Sequence, residues 1–339
     1  MKWTTIKIMW RAGWTLCLTL MWLWASLAIY YSNLPGENLR MFLAWGFAIT
    51  VAAAFMVLPN RRTTIIGFLI GFGVIYVWFL LIPASNNRDW NPFVAVLPEV
   101  AFEDDLVTIS HVRNFDHTNS EDFKVRYYDK TYDLTKLNTL DLFLSYWDGN
   151  TMIAHTFLSF GFGGEDYVVI SIETRPEKGE EYSAISGFFR RFELFYVVGD
   201  ERDIVGVRTN HRSEEVYLYP LKLDIDVIRK LFVGMLQRAA ALHDHPKWYN
   251  AYDRNCTTSI YTDVREILNY DPPFSILMLL NGYIDELLYQ RGTIVADVSD
   301  GKPFPQMKRL HFISEIAKRN EDAPDFSQKI RGHLPKRNR

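Results

Sequence analysis

Cys256 is the residue of this chain best placed to act as a nucleophile. It follows Asn255, and the stretch that it opens predicts a helix through residue 269. Asparagine is a favoured N-cap, because its side-chain oxygen accepts a backbone N–H that the helix leaves unpaired. The thiol would then lie in the first turn, where the positive end of the helix favours thiolate over thiol. A small buried apolar residue is the alternative role for a lone cysteine.

His155 is the histidine best placed to activate this thiol, since a thiolate nucleophile needs an imidazole or another base beside it. Of the eight histidines, it alone lies in an apolar, strand-like run, residues 152–160. The two-residue period of a strand puts it on one face with Ile153 and Phe157. An imidazole on an apolar face must have hydrogen-bond partners or take part in the chemistry of a site. A structural core histidine with its hydrogen bonds satisfied is therefore the alternative.

Glu173 ends the next predicted strand and is the candidate third member of a Cys-His-acid set, in which it would orient the imidazole. An ion pair with Arg175 is the alternative for this glutamate. A guanidinium can clamp an anion or a carboxylate with two parallel hydrogen bonds. Four further arginines are candidates for that role, although none is compelling alone: Arg113, Arg190, Arg202 and Arg208.

No metal site and no cofactor are predicted. The nearest approach to a metal motif is His243-Asp244-His245, which lies in a polar break before Pro246. No third ligand follows at a useful spacing, so a solvated loop is the better interpretation.

Three uncharged segments predict a membrane anchor. Residues 12–31, 41–58 and 65–83 each approach the ~20 residues that a helix needs to cross the hydrocarbon core. A cleavable signal peptide is the alternative for the first segment, but two more spans follow it.

Basic residues predict the orientation of this anchor. They precede the first span or separate the second from the third: Lys2, Lys7, Arg11, Arg61 and Arg62. The positive-inside rule then puts the N-terminus in the cytoplasm and everything after residue 83 outside it. We therefore expect a multi-pass protein of a bacterial inner membrane with a periplasmic C-terminal domain.

The composition of the exported part excludes two features. Residues 84–339 carry 31 Lys and Arg against 39 Asp and Glu, so nucleic acid is not an expected partner. Cys17 would lie in the first span, which leaves Cys256 as the one exported thiol. A single cysteine cannot form an internal disulfide, and a leftover thiol in an exported domain points to a reactive role.

The order of predicted elements indicates an α+β domain behind three transmembrane helices. Strands are expected at residues 107–112, 123–128, 137–146, 151–161, 167–173, 204–208 and 215–219. A Gly163-Gly164 turn makes the fourth and fifth a hairpin. Helices are expected at residues 224–243, 256–269, 275–289 and 312–318. The predicted divisions are an anchor at 1–83, a linker at 84–100, the domain at 101–331 and a basic tail at 332–339. A frayed end is the expected role of the tail, and attraction to anionic lipid headgroups is the alternative.

Many short motifs, in order, resemble the Lnb N-terminal periplasmic domain family. They include Val112-Arg113-Asn114-Phe115, residues 154–162 around His155, residues 171–175, Glu201-Arg202-Asp203, Trp248-Tyr249-Asn250 and Asn255-Cys256-Thr257-Thr258. The resemblance covers roughly residues 88–331 and rests on the number of matches. Four residues in these stretches are the candidate substrate-binding residues: Asn255, Arg113, Arg175 and Arg202.

The resemblance implies a permuted papain-like fold of the NlpC/P60 type, in which the histidine strand precedes the cysteine helix. It also implies that His155 and Cys256 act together through a thioester. The implied reaction moves an acyl chain of a bacterial lipoprotein from its glycerol to the amino group of its N-terminal cysteine. In the enzyme that gives the family its name the membrane spans follow the domain, whereas here they precede it.

Three functions stay open at this point. The first is a membrane-tethered acyltransferase or acyl hydrolase that uses Cys256 and His155 on lipoprotein or phospholipid acyl chains, helped by the high local concentration of a membrane substrate. The second is a cysteine amidase or peptidase acting on peptidoglycan peptides. The third is a periplasmic binding module with a structural cysteine. The lipid bilayer is the expected partner.

Overall fold

A computed structural model of the chain describes residues 3–147, 149–183, 185–270, 275, 280–295 and 303–335. Its contacts group into two compact units. The first contains Met1–Ser85, Glu181–Glu193 and Trp248–Ala251, and the second contains Asn86–Glu180, Leu194–Lys247 and Tyr252–Arg339.

Three long helices dominate the first unit: α1 (Trp3–Tyr30), α2 (Glu37–Val57) and α3 (Arg61–Leu81). All three are long and apolar enough to cross a membrane, as the uncharged segments predicted. A hydrocarbon environment offers no hydrogen-bond partners, so a helix, which pairs its own backbone groups, is the form such segments take. Asn60 starts α3 by accepting the backbone N–H groups of Arg62 and Thr63.

The segment Glu181–Glu193 of this unit caps two of the long helices. Arg190 Nη1 donates to the carbonyl oxygens of Leu80 and Ile82, at 2.7 and 2.8 Å. Arg191 Nη1 donates to the carbonyl oxygen of Ser32, just after α1, at 3.1 Å. A cation is favourable at the negative C-terminal end of a helix. These contacts give Arg190, a candidate anion clamp in the sequence, a helix-capping role.

The second unit contains an eight-stranded sheet in the order β1-β2-β9-β8-β7-β6-β10, with β5 paired to β2. Its strands are β1 (Glu99–Glu103), β2 (Leu106–Arg113), β5 (Tyr127–Asp133), β6 (Leu137–Tyr146), β7 (His155–Phe162), β8 (Asp166–Arg175), β9 (Glu193–Gly199) and β10 (Glu215–Pro220), whereas β3 (Asp116–His117) and β4 (Phe123–Lys124) pair separately. The strands β6, β7 and β8 lie side by side and are largely buried, so they form a rigid base.

The hairpin of β7 and β8 confirms the turn predicted at Gly163-Gly164. Both glycines have positive φ angles, of 65° and 84°, which side chains other than glycine rarely adopt. The two strands are antiparallel, with Phe157 opposite Ser171. The far end of this hairpin carries His155 at the start of β7 and Glu173 near the end of β8.

The remaining helices are α4 (Glu201–Gly206), α5 (Ile225–Ala241), α6 (Cys256–Leu268), α7 (Ile284–Gln290), α8 (Phe304–Leu310), α9 (Ser314–Arg319) and α10 (Phe326–Lys329). The helices α5 and α6 pack against each other, and α6 also packs on β7 and β8. The helix predicted at residues 275–289 falls partly outside the described residues, and its described part contains α7. The tail residues 336–339 lie outside them altogether.

The strand predicted at residues 204–208 is wrong, because this stretch is helical. The Asp200 side chain accepts the Arg202 backbone N–H and starts α4, and a wider helical turn, Val207–His211, follows. A short apolar run fits a buried helix as well as a buried strand, and periodicity alone does not separate them.

Arg331 is part of the folded unit and precedes the predicted tail. Its guanidinium donates to Asp141 Oδ2 at 2.8 Å and also pairs with Glu201. Both carboxylates are buried, so the positive charge of this arginine compensates two negative charges in the interior.

The orientation of the helices is a prediction that reporter fusions test. We expect a phosphatase that is active only outside the cytoplasm to be active when fused after Asn33 or Arg339, and inactive when fused after Arg62. The reason is that Arg61 and Arg62 hold the α2–α3 connection on the cytoplasmic side. The opposite activity pattern would reverse the orientation and remove the argument from a lone exported thiol.

Candidate functional site

Cys256 is the first residue of α6, as the sequence predicted. Asn255 Oδ1 accepts the backbone N–H groups of Thr257 and Thr258, at 3.0 and 2.9 Å. Thr258 Oγ1 in turn accepts the Asn255 backbone N–H at 2.9 Å, which completes a reciprocal capping box. This places the candidate substrate-binding residue Asn255 in the helix cap. The thiol therefore lies in the first turn of a 13-residue helix, with 7% of Cys256 exposed.

The register of the β7–β8 hairpin brings His155 and Glu173 together. Because Phe157 pairs with Ser171 in antiparallel strands, the residue two before it and the residue two after its partner also face each other. His155 Nε2 lies 2.8 Å from Ser171 Oγ and 3.0 Å from Glu173 Oε1. This imidazole also interacts electrostatically with Cys256, since each of the two groups shifts the pKa of the other.

Arg208 holds Glu173 in this position. Its Nη2 donates to Glu173 Oε1 at 2.7 Å, and its Nη1 donates to the Ile204 carbonyl oxygen at 2.7 Å. The guanidinium also lies over the Phe157 ring, 4.8 Å from the centroid. Arg208 thus binds a carboxylate, as a clamp would, but the carboxylate belongs to the protein.

The charges of these groups favour a thiolate beside an imidazolium. Burial alone would lower the pKa of His155, but the Glu173 carboxylate and the hydrogen bonds with Cys256 and Glu173 raise it to about 9. Burial would raise the pKa of Cys256, and the hydrogen bond and charge of His155 outweigh it and lower that pKa. Burial opposes the charge of Glu173 too, yet His155 and Arg208 hold its pKa well below the usual range.

Asn281 joins the histidine strand to the cysteine helix, and the sequence analysis missed it. Its Oδ1 accepts the Ala154 N–H at 2.9 Å, while its Nδ2 donates to the Ala154 carbonyl oxygen at 2.7 Å and to Thr257 Oγ1 at 2.9 Å. The same Nδ2 lies 3.8 Å from Cys256 Sγ. The only local signal is the Asn281-Gly282 pair, which reads as a turn.

Gly282 allows the close approach on which this contact depends. A Cβ atom on Gly282 would lie 2.2 Å from the Thr151 carbonyl oxygen, so any side chain would push the two segments apart. The Gly282 backbone N–H donates to the Met152 carbonyl oxygen at 3.1 Å.

The three candidate substrate-binding arginines are engaged elsewhere. Arg113 donates through Nε and Nη2 to Asp203, at 2.9 and 3.0 Å, and is buried. Arg175 is also buried and donates to the Val94 and Ala95 carbonyl oxygens. Arg202 Nη2 donates to Asn114 and Asp116. These hydrogen bonds, within the described part of the chain, do not join the arginines to Cys256 or His155. The substrate-binding roles of the three arginines therefore stay predictions.

Across the described residues, no group of three or more His, Cys, Asp or Glu side chains is arranged to hold a metal ion. His243, from the His-Asp-His run, has its Nε2 3.0 Å from the Pro98 carbonyl oxygen.

Comparison with protein families places this site within a known domain. Residues 124–280 match the family model of the Lnb N-terminal periplasmic domain. These residues form an Lnb N-terminal periplasmic domain. The match includes His155, Glu173, Arg208 and Cys256 and ends one residue before Asn281. No match was found among curated proteins or among solved structures.

The Lnb domain and the three long apolar helices together fit a membrane protein with a periplasmic domain. The permuted papain-like relationship and the inner-membrane location stay predictions.

Proposed function

We propose that this Lnb-domain protein is a membrane-tethered cysteine enzyme that transfers or hydrolyses acyl chains of lipoproteins or lipids through a thioester on Cys256. The observation that carries the proposal is the His155–Glu173 pair together with Cys256, a cysteine at a helix N-terminus whose pKa His155 lowers. In this arrangement the nucleophile has a base, and the base is oriented by a third group.

The first half of the reaction forms the thioester. The Cys256 thiolate attacks the carbonyl carbon of an acyl ester, and the bond from that carbon to the alcohol oxygen breaks. The His155 imidazolium gives its proton to the departing oxygen, so the alcohol leaves neutral and the imidazole becomes neutral. Glu173 and Ser171, both in contact with Nε2, fix the orientation of the ring.

The second half releases the acyl chain. An amine or a water molecule attacks the thioester carbonyl, and neutral His155 takes its proton. The carbon–sulfur bond breaks, which restores the thiolate and imidazolium. An amine acceptor gives acyl transfer, and water gives hydrolysis.

The membrane helices support an acyl substrate over a soluble peptide. Three candidate spans tether the domain to a bilayer, where acyl esters are concentrated and peptidoglycan peptides are not. A cysteine amidase would use the same three side chains, so the distinction lies in the substrate.

Mass spectrometry of the protein purified from native membranes tests the proposal. We expect a fatty-acyl adduct on Cys256 that neutral hydroxylamine removes, because hydroxylamine cleaves thioesters. Cys17→Ser should keep the adduct and Cys256→Ala should lose it, which separates the proposed nucleophile from the cysteine in α1.

Two results would redirect the assignment. An unmodified Cys256 that releases peptides from peptidoglycan fragments would establish an amidase. An unmodified Cys256 with neither activity, on phospholipid, lipopeptide or peptidoglycan substrates, would favour the binding module.

A further inference from the structure

The three long helices enclose a groove of about 890 Å³ at the end of the bundle where α1 and α3 begin. Side chains of all three helices line it: Trp10, Arg11, Trp14, Thr15, Leu18, Thr19 and Trp22 of α1, Val51, Ala52 and Phe55 of α2, and Arg61, Ile65 and Phe68 of α3. Most of this lining is apolar, and it contains no acidic side chain.

Three polar side chains of the groove are already paired. Thr15 Oγ1 donates to the Arg11 carbonyl oxygen and Thr19 Oγ1 to that of Thr15, both at 2.9 Å. Trp22 Nε1 donates across to the Ala48 carbonyl oxygen of α2 at 3.2 Å.

Arg11 and Arg61 are the charged side chains of the groove. Neither guanidinium makes a hydrogen bond or an ion pair within the described part of the chain, although they come from different helices and line one groove. Two like charges that share a groove without an acidic residue favour an anion between them.

The two arginines lie at similar distances from the C-terminal ends of their helices. Each is followed by about 20 residues of its helix, which is ~30 Å at 1.5 Å per residue and equals the hydrocarbon thickness. Their guanidinium groups therefore reach the headgroup layer of a single leaflet, the cytoplasmic one in the predicted orientation.

The rest of the groove suits a hydrocarbon chain. Its lining includes Trp14, Leu18 and Trp22 of α1 together with Phe55 of α2 and Phe68 of α3. The rings of Trp10 and Trp14 are 6.3 Å apart near Arg11, which is typical of the aromatic residues that lie at a membrane interface.

We infer that this groove binds an acidic glycerophospholipid, with its phosphate between Arg11 and Arg61 and one acyl chain along the aromatic wall. Basic pockets between membrane helices are suited to anionic headgroups. A zwitterionic lipid offers the same phosphate but adds a cation, for which the groove provides no carboxylate. The site is separate from Cys256, so neither proposal depends on the other.

Native mass spectrometry of the full chain in detergent tests the site. The probes are phosphatidylglycerol and phosphatidylcholine with identical acyl chains. We expect the wild-type protein to retain phosphatidylglycerol about tenfold better, the scale expected from two basic side chains near an anionic group. The double variant Arg11→Gln/Arg61→Gln should lose this preference. Arg62→Gln should keep it, because Arg62 carries the same charge beside the groove without lining it.

Two further measurements distinguish binding of the lipid headgroup from binding of the acyl chain, and they serve as controls for misfolding. Ala52→Leu fills the apolar part and leaves both arginines, so retention of both lipids should fall. Inorganic phosphate at millimolar concentration should displace little phosphatidylglycerol, since it lacks the chain, and full displacement would mean a phosphate site only. Equal retention of the two lipids by the wild-type protein, or an equal loss with Arg62→Gln, would overturn the inference.

Discussion

Native Cys256 should react with iodoacetamide at pH 6, and His155→Ala should slow that reaction about tenfold or more. An ordinary thiol with a pKa of ~8.5 is only ~0.3% thiolate at this pH. His155 lowers the pKa of Cys256 through a hydrogen bond and a positive charge. Without the imidazole, burial is left to raise that pKa, although the helix N-terminus remains. The lower intrinsic nucleophilicity of a low-pKa thiolate offsets part of the gain.

The pH dependence has a definite sign. The raised pKa of His155, about 9, means that the imidazolium is present below that pH and is lost as the pH rises through it. The lowered pKa of Cys256 sets the lower pH limit at which the thiolate is present. The thiolate–imidazolium pair should therefore persist from acidic pH to about pH 9. Alkylation of His155→Ala should instead rise only at alkaline pH, as for an ordinary buried thiol.

Glu173→Gln provides the matched variant, because it keeps the shape of the side chain and removes its charge. Burial and the nearby Arg208 then lower the pKa of His155, so the thiolate loses part of its stabilising positive charge and alkylation of Cys256 at pH 6 should slow. Peptide mapping assigns the label to Cys256 or Cys17. Equal, slow labelling of Cys256 at pH 6 with and without His155 would make the cysteine structural and remove the enzymatic proposal.

The local chemistry of the chain was enough to predict the start of the cysteine helix. Asn255 caps α6 through atoms only two and three residues away, so no distant contact was needed. The β7–β8 hairpin was predictable for the same reason, because its glycine turn and alternating pattern are adjacent in sequence. The pairing of His155 with Glu173 then follows from the register alone.

The residues that tune the site could not be read from the sequence, because they come from distant segments. Arg208 reaches Glu173 from 35 residues along the chain, and it does so from the turn after α4, in a stretch predicted as a strand. A strand would have aimed its side chains differently. Asn281 bonds Ala154 across 127 residues, and no pattern around it marks that contact.

Asn281→Ala should cause the largest loss of stability near the site, because it leaves several buried polar groups without a hydrogen-bond partner. The Ala154 N–H and carbonyl and the Thr257 hydroxyl would each lose a partner. An unpaired buried group costs roughly 1–3 kcal/mol, although Thr257 keeps its contact with Thr156. We therefore expect the free energy of unfolding to fall by about 3 kcal/mol, measured by guanidinium titration of the full chain in detergent.

Gln328→Ala is the matched control for this loss. The Gln328 side-chain amide also donates to a backbone carbonyl, that of Glu165 at 3.0 Å, but this bond is exposed to water. Its removal should change the unfolding free energy by ~0.5 kcal/mol or less, as for most surface substitutions. The comparison separates the effect of burial from that of deleting an amide.

The pH profile of Cys256 alkylation shows whether Asn281 also positions Cys256 and His155 relative to each other. Asn281 holds Ala154, the neighbour of His155, against Thr257, the neighbour of Cys256, so its loss should let the imidazole move away from the sulfur. Alkylation of Asn281→Ala in its folded range should then shift toward the alkaline profile of His155→Ala. A variant that is destabilised as expected but keeps the wild-type alkylation profile would make Asn281 a packing residue only. The Cys256–His155 contact would then depend on the hairpin register and the α6 cap alone.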